Sequence, residues 1–89
     1  MKSFLIGCDL NRPGKNYPEL LAAFEQFPLR WHHLDSVWIV KADLTVRQVR
    51  DHFKSHIDPG DELLVVELTG EGAWSGFNDE AIAWLSEHL

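Results

Sequence analysis

Lys2-Ser3-Phe4-Leu5-Ile6-Gly7-Cys8-Asp9-Leu10-Asn11 opens the chain, and its reading decides the fold. Lys2 to Ile6 reads as a strand, with Phe4, Leu5 and Ile6 in unbroken apolar sequence. Gly7-Cys8-Asp9-Leu10-Asn11 closes that run on a carboxylate. Strands end where a sheet meets solvent, so Asp9 is placed either to hold a cation or to cap a turn. The turn follows at once as Asn11-Arg12-Pro13-Gly14. Asp and Asn commonly cap such loops through neighbouring backbone N–H groups.

The rest of the chain falls into elements around this strand. Tyr17, Leu20, Leu21, Phe24 and Phe27 recur at helical spacing and form one apolar face. Pro18 fits the first turn of that helix and Pro28 ends it. Trp31 to Ala42 is extended and rich in aromatic and β-branched residues. Asp35-Ser36 marks a bend or bulge between two short strands, with Val37-Trp38-Ile39-Val40 the stronger. Thr45 opens a second helix, and Gln48 completes a Thr-x-x-Gln capping box. Val46, Val49, Phe53 and Ile57 form its apolar stripe; Arg47, Arg50 and Lys54 form a basic stripe outside. Asp58-Pro59-Gly60-Asp61 is a turn, and Leu63-Leu64-Val65-Val66 is a fully apolar strand. Thr69 to Gly76 reads as a Gly-rich loop, after which Asn78 caps a last helix with Asp79 and Glu80 in its first turn.

The order is strand, helix, strand, strand, helix, strand, helix. The fold class is α+β, and the first six elements match the ferredoxin-like βαββαβ plan, with an additional C-terminal helix. Residues 1–89 make one domain: 1–68 as the core, 69–89 as the Gly-rich loop and terminal helix. In that plan two helices cover one face of an antiparallel sheet. Strands open to water on the other face should alternate apolar and polar residues. Phe4-Leu5-Ile6, Val37-Trp38-Ile39-Val40 and Leu63-Leu64-Val65-Val66 do not alternate. The terminal helix covers part of the second face in this reading, and a second copy of the chain covers more. A homodimer, packed sheet to sheet or edge to edge, is therefore expected.

Composition narrows the class. The chain is 45% hydrophobic with four Trp and five Phe, which suits a folded domain. No apolar run approaches membrane-spanning length, and the N-terminus lacks the longer apolar region of a signal peptide. Cys8 is the single cysteine, so no internal disulfide forms, which suits a reducing cytoplasm. It reads as a small core residue rather than a nucleophile. The net charge of −6 is uneven. Residues 1–54 hold all eight Lys and Arg against six acids, and residues 55–89 hold eight acids and no Lys or Arg. Only the first part suits an anionic partner.

Strand, Asp9, polar turn and helix, then Asp35-Ser36-Val37-Trp38, then Ala42-Asp43-Leu44-Thr45 opening a helix, resembles the small CRISPR-associated nuclease and integration-scaffold proteins. The virulence-associated protein D ribonucleases share the plan. The resemblance covers about residues 3–68. It implies a dimer of ferredoxin-like protomers in which the Asp ending each first strand faces its mate and holds a divalent metal. Asp9 takes that position, and Ser36 takes that of the Ser after the second strand. The chain departs from the family pattern in Cys8, in its acidic balance and in a helix where the family often has a last strand.

Two carboxylates across a two-fold axis suit Mg²⁺ better than one, since Mg²⁺ takes six oxygens and keeps several waters. The candidate site is then Asp9 as metal ligand and catalytic group, Asn11 and Ser36 as catalytic polarisers of water or phosphate, and Arg12, Lys15, Arg47 and Arg50 as nucleic-acid-binding guides. The implied activity is a metal-dependent endonuclease on RNA or DNA, or a degenerate descendant of one. The alternative is a non-catalytic homodimeric interaction or regulatory module, with Asp9 as a turn cap. A ligand-sensing regulator is a third reading, with no ligand indicated. His52 and His56 sit one helical turn apart but lack a completing ligand set. Trp74 and Phe77 on the Gly-rich loop read as a plug for the open sheet face or for a dimer groove rather than a base-stacking platform, because their flanks are acidic.

Overall fold

The computed structural model describes residues 1–10 and 17–89. The elements run β1 (Lys2–Asp9), α1 (Pro18–Glu25), β2 (Arg30–Trp31), β3 (Val37–Ala42), α2 (Val46–Lys54), β4 (Glu62–Leu68) and α3 (Asp79–His88). The strands form one four-stranded sheet in the order β2-β3-β1-β4, and every neighbouring pair is antiparallel. This α+β arrangement is compatible with the ferredoxin-like plan. No helix among the described residues is long and apolar enough to cross a membrane.

Alternation along the strands divides the side chains between two faces. Phe4, Ile6 and Val40 are fully buried on the face covered by α1 and α2, packed with Phe24, Val49 and Phe53. Cys8, Trp38, Leu63 and Val65 pack against this cluster. Its centre is aromatic. Phe24 stacks on Trp38 with centroids 3.9 Å apart and on Phe53 at 4.3 Å. Rings this close exclude water while keeping favourable offset contacts.

Both capping expectations are met. Thr45 Oγ1 accepts from the Gln48 backbone N–H at 3.1 Å, and Gln48 Oε1 accepts from the Thr45 N–H at 2.9 Å. Asn78 Oδ1 accepts from the Ala81 N–H at 2.8 Å. The turn at 58–61 closes with the Asp61 N–H on the Asp58 carbonyl and the Asp58 N–H on Asp61 Oδ2.

The helix faces differ from the expected ones in detail. Leu21 is exposed, and Ala23 takes the buried place beside Leu20 and Phe24. The N-cap of α1 is Tyr17, whose φ of 45° is left-handed. Val46 is exposed because it stands in the first turn of α2. Ile57 packs on the core from beyond the end of that helix.

The second face is half closed. α3 lies over β2 and β3, where Trp31, Ile39, Ala81 and Leu85 are buried together. Trp31 Nε1 donates to the Ala81 carbonyl at 3.3 Å. Ser3 Oγ donates to the His88 carbonyl at 3.2 Å and ties the far end of α3 to β1. The loop between β4 and α3 turns through Gly70 and Gly76, whose positive φ values of 95° and 83° suit glycine. Beyond α3 the face is bare: Leu64 is 59% exposed and Val66 39%. A groove of about 280 Å³ continues this bare area, lined by Leu5, Leu34, Val37, Trp74, Phe77 and Leu89. Trp74 therefore edges the groove rather than sealing it.

Candidate functional site

Asp9 ends β1, exposed, between its two neighbouring strands. On one side the Cys8 N–H donates to the Ser36 carbonyl at 3.1 Å, just past the last β1–β3 pair, Gly7↔Val37. On the other side Asp9 stands opposite Glu62, the first residue of β4. Directly paired residues share a face, so the two carboxylates lie side by side at the rim of the bare half of the sheet. Neither has a hydrogen bond or ion pair among the described residues.

Two clefts meet at Asp9. A shallow one of about 420 Å³ is lined by Gly7, Cys8, Asp9, Ser36, Glu62 and Leu64. A second, of about 280 Å³ on the helix side, is lined by Asp9, Tyr17, His32, Asp35, Ser36 and Trp38. The expected pair Asp9 and Ser36 is thus brought together. Arg47 and Arg50 line neither cleft. They lie on exposed positions of α2, and Arg50 is engaged by its neighbour Asp51 at 2.9 Å. Asn11, Arg12 and Lys15 lie outside the described residues, as does the turn that Asp9 was expected to cap.

The surroundings hold this corner in place. His32 stacks on Trp38 with centroids 3.6 Å apart, and its Nε2 is 3.0 Å from the Asp35 carbonyl. His33 turns to the other face and meets Trp31 and Phe77, as adjacent residues in extended chain should. The Tyr17 hydroxyl donates to Asp61 Oδ1 at 3.2 Å, fixing the start of α1 to the turn that feeds β4. Cys8 is half-buried beside the core, and burial, reinforced by the Asp61 carboxylate, pushes its thiol up to about 11. It stays protonated at neutral pH and is a poor nucleophile there.

As a metal centre the corner offers oxygen donors: two opposed carboxylates with a hydroxyl near. Hard oxygen donors of this kind fit Mg²⁺ or Mn²⁺, with waters filling the remaining positions. Among the described residues no group of three or more His, Cys, Asp and Glu is arranged to hold a metal ion. His52 and His56 have ring centroids 6.1 Å apart, and His52 Nε2 lies 3.2 Å from the Ala23 carbonyl. His52 also packs edge-on against Phe27 and Phe53, so it joins α2 to α1.

Glu62 is the residue that sequence reasoning missed. No acid in the first strand or its turn partners Asp9, and the one that does is more than fifty positions away. Its signal is the acid preceding the apolar run 63–66, read together with an antiparallel register. No protein-family model, curated protein or solved structure matches the chain.

Proposed function

We propose that this chain is a ferredoxin-like domain that works as a homodimeric interaction or regulatory module. The observation that carries this reading is the bare half of the second sheet face. Leu64 and Val66 are exposed there beside an apolar groove, while Leu63 and Val65 of the same strand pack against the core on the other side. An apolar patch continuous with a groove marks an interaction site, whereas single exposed apolar residues do not. A second copy matches its apolar chemistry and adds no charge to the patch. Sedimentation velocity at micromolar concentration tests this, and the expected species has about twice the chain mass of 10.2 kDa. A monomer throughout that range contradicts it.

A second reading is a metal-dependent phosphodiesterase acting on RNA or DNA. The opposed pair Asp9 and Glu62, with Ser36 beside it, favours this. Like charges directly opposite on neighbouring strands repel, so a divalent cation between them relieves a standing cost. When bound, such an ion makes water more acidic and neutralises phosphate charge. Asp9 and Glu62 would hold it, and Ser36 would orient water or phosphate. Thermal unfolding with Mg²⁺ or Mn²⁺ tests this reading. Wild type should gain stability with the ion, and Asp9→Asn and Glu62→Gln should each abolish the gain. Identical responses from all three proteins remove the metal site, and with it this activity.

A further inference from the structure

The sheet has two edges, and they are built differently. β2 is only two residues long, and its Trp31 is buried under α3 and hydrogen-bonded to it. β4 is seven residues long and pairs with β1 alone. Among the described residues, no backbone hydrogen bond other than the β1 ladder reaches it.

Natural sheets guard a long edge with lysine, proline, a bulge or an inward charge, because its free N–H and C=O groups template another strand. Glu62-Leu63-Leu64-Val65-Val66-Glu67-Leu68 contains neither lysine nor proline. Its pairing with β1 runs unbroken from Ser3↔Leu68 to Asp9↔Glu62, so it carries no bulge there. Its two carboxylates flank the apolar run and leave 63–66 unguarded.

We propose that β4 pairs antiparallel with β4 of a second copy about a two-fold axis at Val65, joining two four-stranded sheets into one. This rests on the homodimer reading and gives it a geometry. Only the register centred on Val65 pairs the whole strand with itself. Leu64 then faces Val66 of the partner subunit, so the two exposed side chains on the bare face meet each other. Glu62 faces Leu68 of the partner subunit, and Glu67 faces Leu63 of the partner subunit. No carboxylate stands opposite a carboxylate, which would be destabilising. A slip of one residue would pair Leu64 with Val65 of the partner subunit and turn that copy's helix-covered face to the bare side. The Lys2–Glu67 contact at 4.0 Å lies on the β1 side of the strand and is compatible with the seam.

The seam has a consequence for Asp9. The two β1 strands become separated by three strand spacings, about 14 Å at ~4.8 Å each. A cation shared between the two Asp9 carboxylates is then out of reach, and each Asp9 keeps Glu62 of its own chain as partner.

The test is a charge exchange on the exposed pair, read by sedimentation velocity with circular dichroism as the control for folding. Leu64→Lys with Val66→Lys sets ammonium against ammonium twice across the axis. It should weaken dimerisation at least a hundredfold while the fold persists. Leu64→Lys with Val66→Glu sets opposite charges at the same places and should restore dimerisation to within tenfold of wild type. If the double-lysine variant dimerises like wild type, the seam lies elsewhere, and the proposal falls while the homodimer reading stands. If both variants are folded monomers, apolar burial face to face holds the dimer, and strand pairing is overturned. If wild type itself is monomeric, both readings fall together.

Discussion

The two faces of the sheet are made from the same strands and have opposite fates. On the α1–α2 face, Phe4, Ile6, Val40, Val49 and Phe53 are 0% exposed. On the other, α3 buries Trp31 and Ile39, yet Leu64 on β4 remains 59% exposed. The difference follows from the supply of helices. Two crossover helices cover four strands, but one terminal helix of ten residues covers two. On β4 the sequence supplies Leu64 and Val66 to a face that α3 does not reach, so apolar surface exceeds cover there. A surface that soluble partners leave alone would have alternated, as antiparallel sheets with one wet face do.

The comparison is broken most severely by removing the one cover that the second face has. Deleting residues 70–89 strips α3 from Trp31 and Ile39, and aggregation is expected, measured by light scattering at micromolar concentration. A soluble, cooperatively folded truncation would mean that the second face needs no cover. Next in size is a pair of truncations on opposite faces. Phe53→Ala empties a site touched by two stacked rings and should cost about 3–5 kcal/mol in denaturant unfolding. Leu64→Ala, measured under monomeric conditions, should cost well under 1 kcal/mol, since surface changes typically do. Equal costs would show that the bare face is a true core.

Thr45→Ala is smaller again. It removes one half of the capping box at the start of α2 and should cost about 1 kcal/mol. An unchanged denaturation midpoint would show that α2 does not depend on its cap. The last effect is absent at neutral pH, is confined to alkaline conditions and comes from Cys8. Its folded thiol titrates near 11 against an ordinary 9.0, so the native state holds the proton more tightly than the unfolded chain. Stability contributed this way is complete below pH 9 and is lost as pH rises towards 11. Cys8→Ser should flatten that part of the pH–stability curve, and an unaltered slope would assign the alkaline loss to other groups.

Much of this architecture was legible in local pattern. Thr45 with Gln48, Asn78 before its acidic turn, and the Asp35-Ser36 bend are short-range signals, and each formed as read. What escaped depends on contacts far apart in the chain or on small rotations. Ala23 rather than Leu21 is buried on α1, a choice of helix face that apolar spacing alone does not encode. Glu62 could not be found as the neighbour of Asp9 without the β1–β4 register. Ser36 was found because the residues bounding a bend between strands fall at a sheet end by construction. Arg47 and Arg50 were grouped with Asp9 by charge, and charge fixes no distance; the helix that carries them places neither in the clefts at Asp9.

The central claim is that a second copy joins the sheet at its β4 edge and brings the exposed Leu64 and Val66 of the two chains together. Sedimentation velocity of the full chain over a micromolar range, at moderate salt, tests it most directly. The account predicts a concentration-dependent species of about twice 10.2 kDa that is lost in the Leu64→Lys, Val66→Lys variant. A wild type that stays at 10.2 kDa throughout, with Leu64 and Val66 bare in solution, would contradict it.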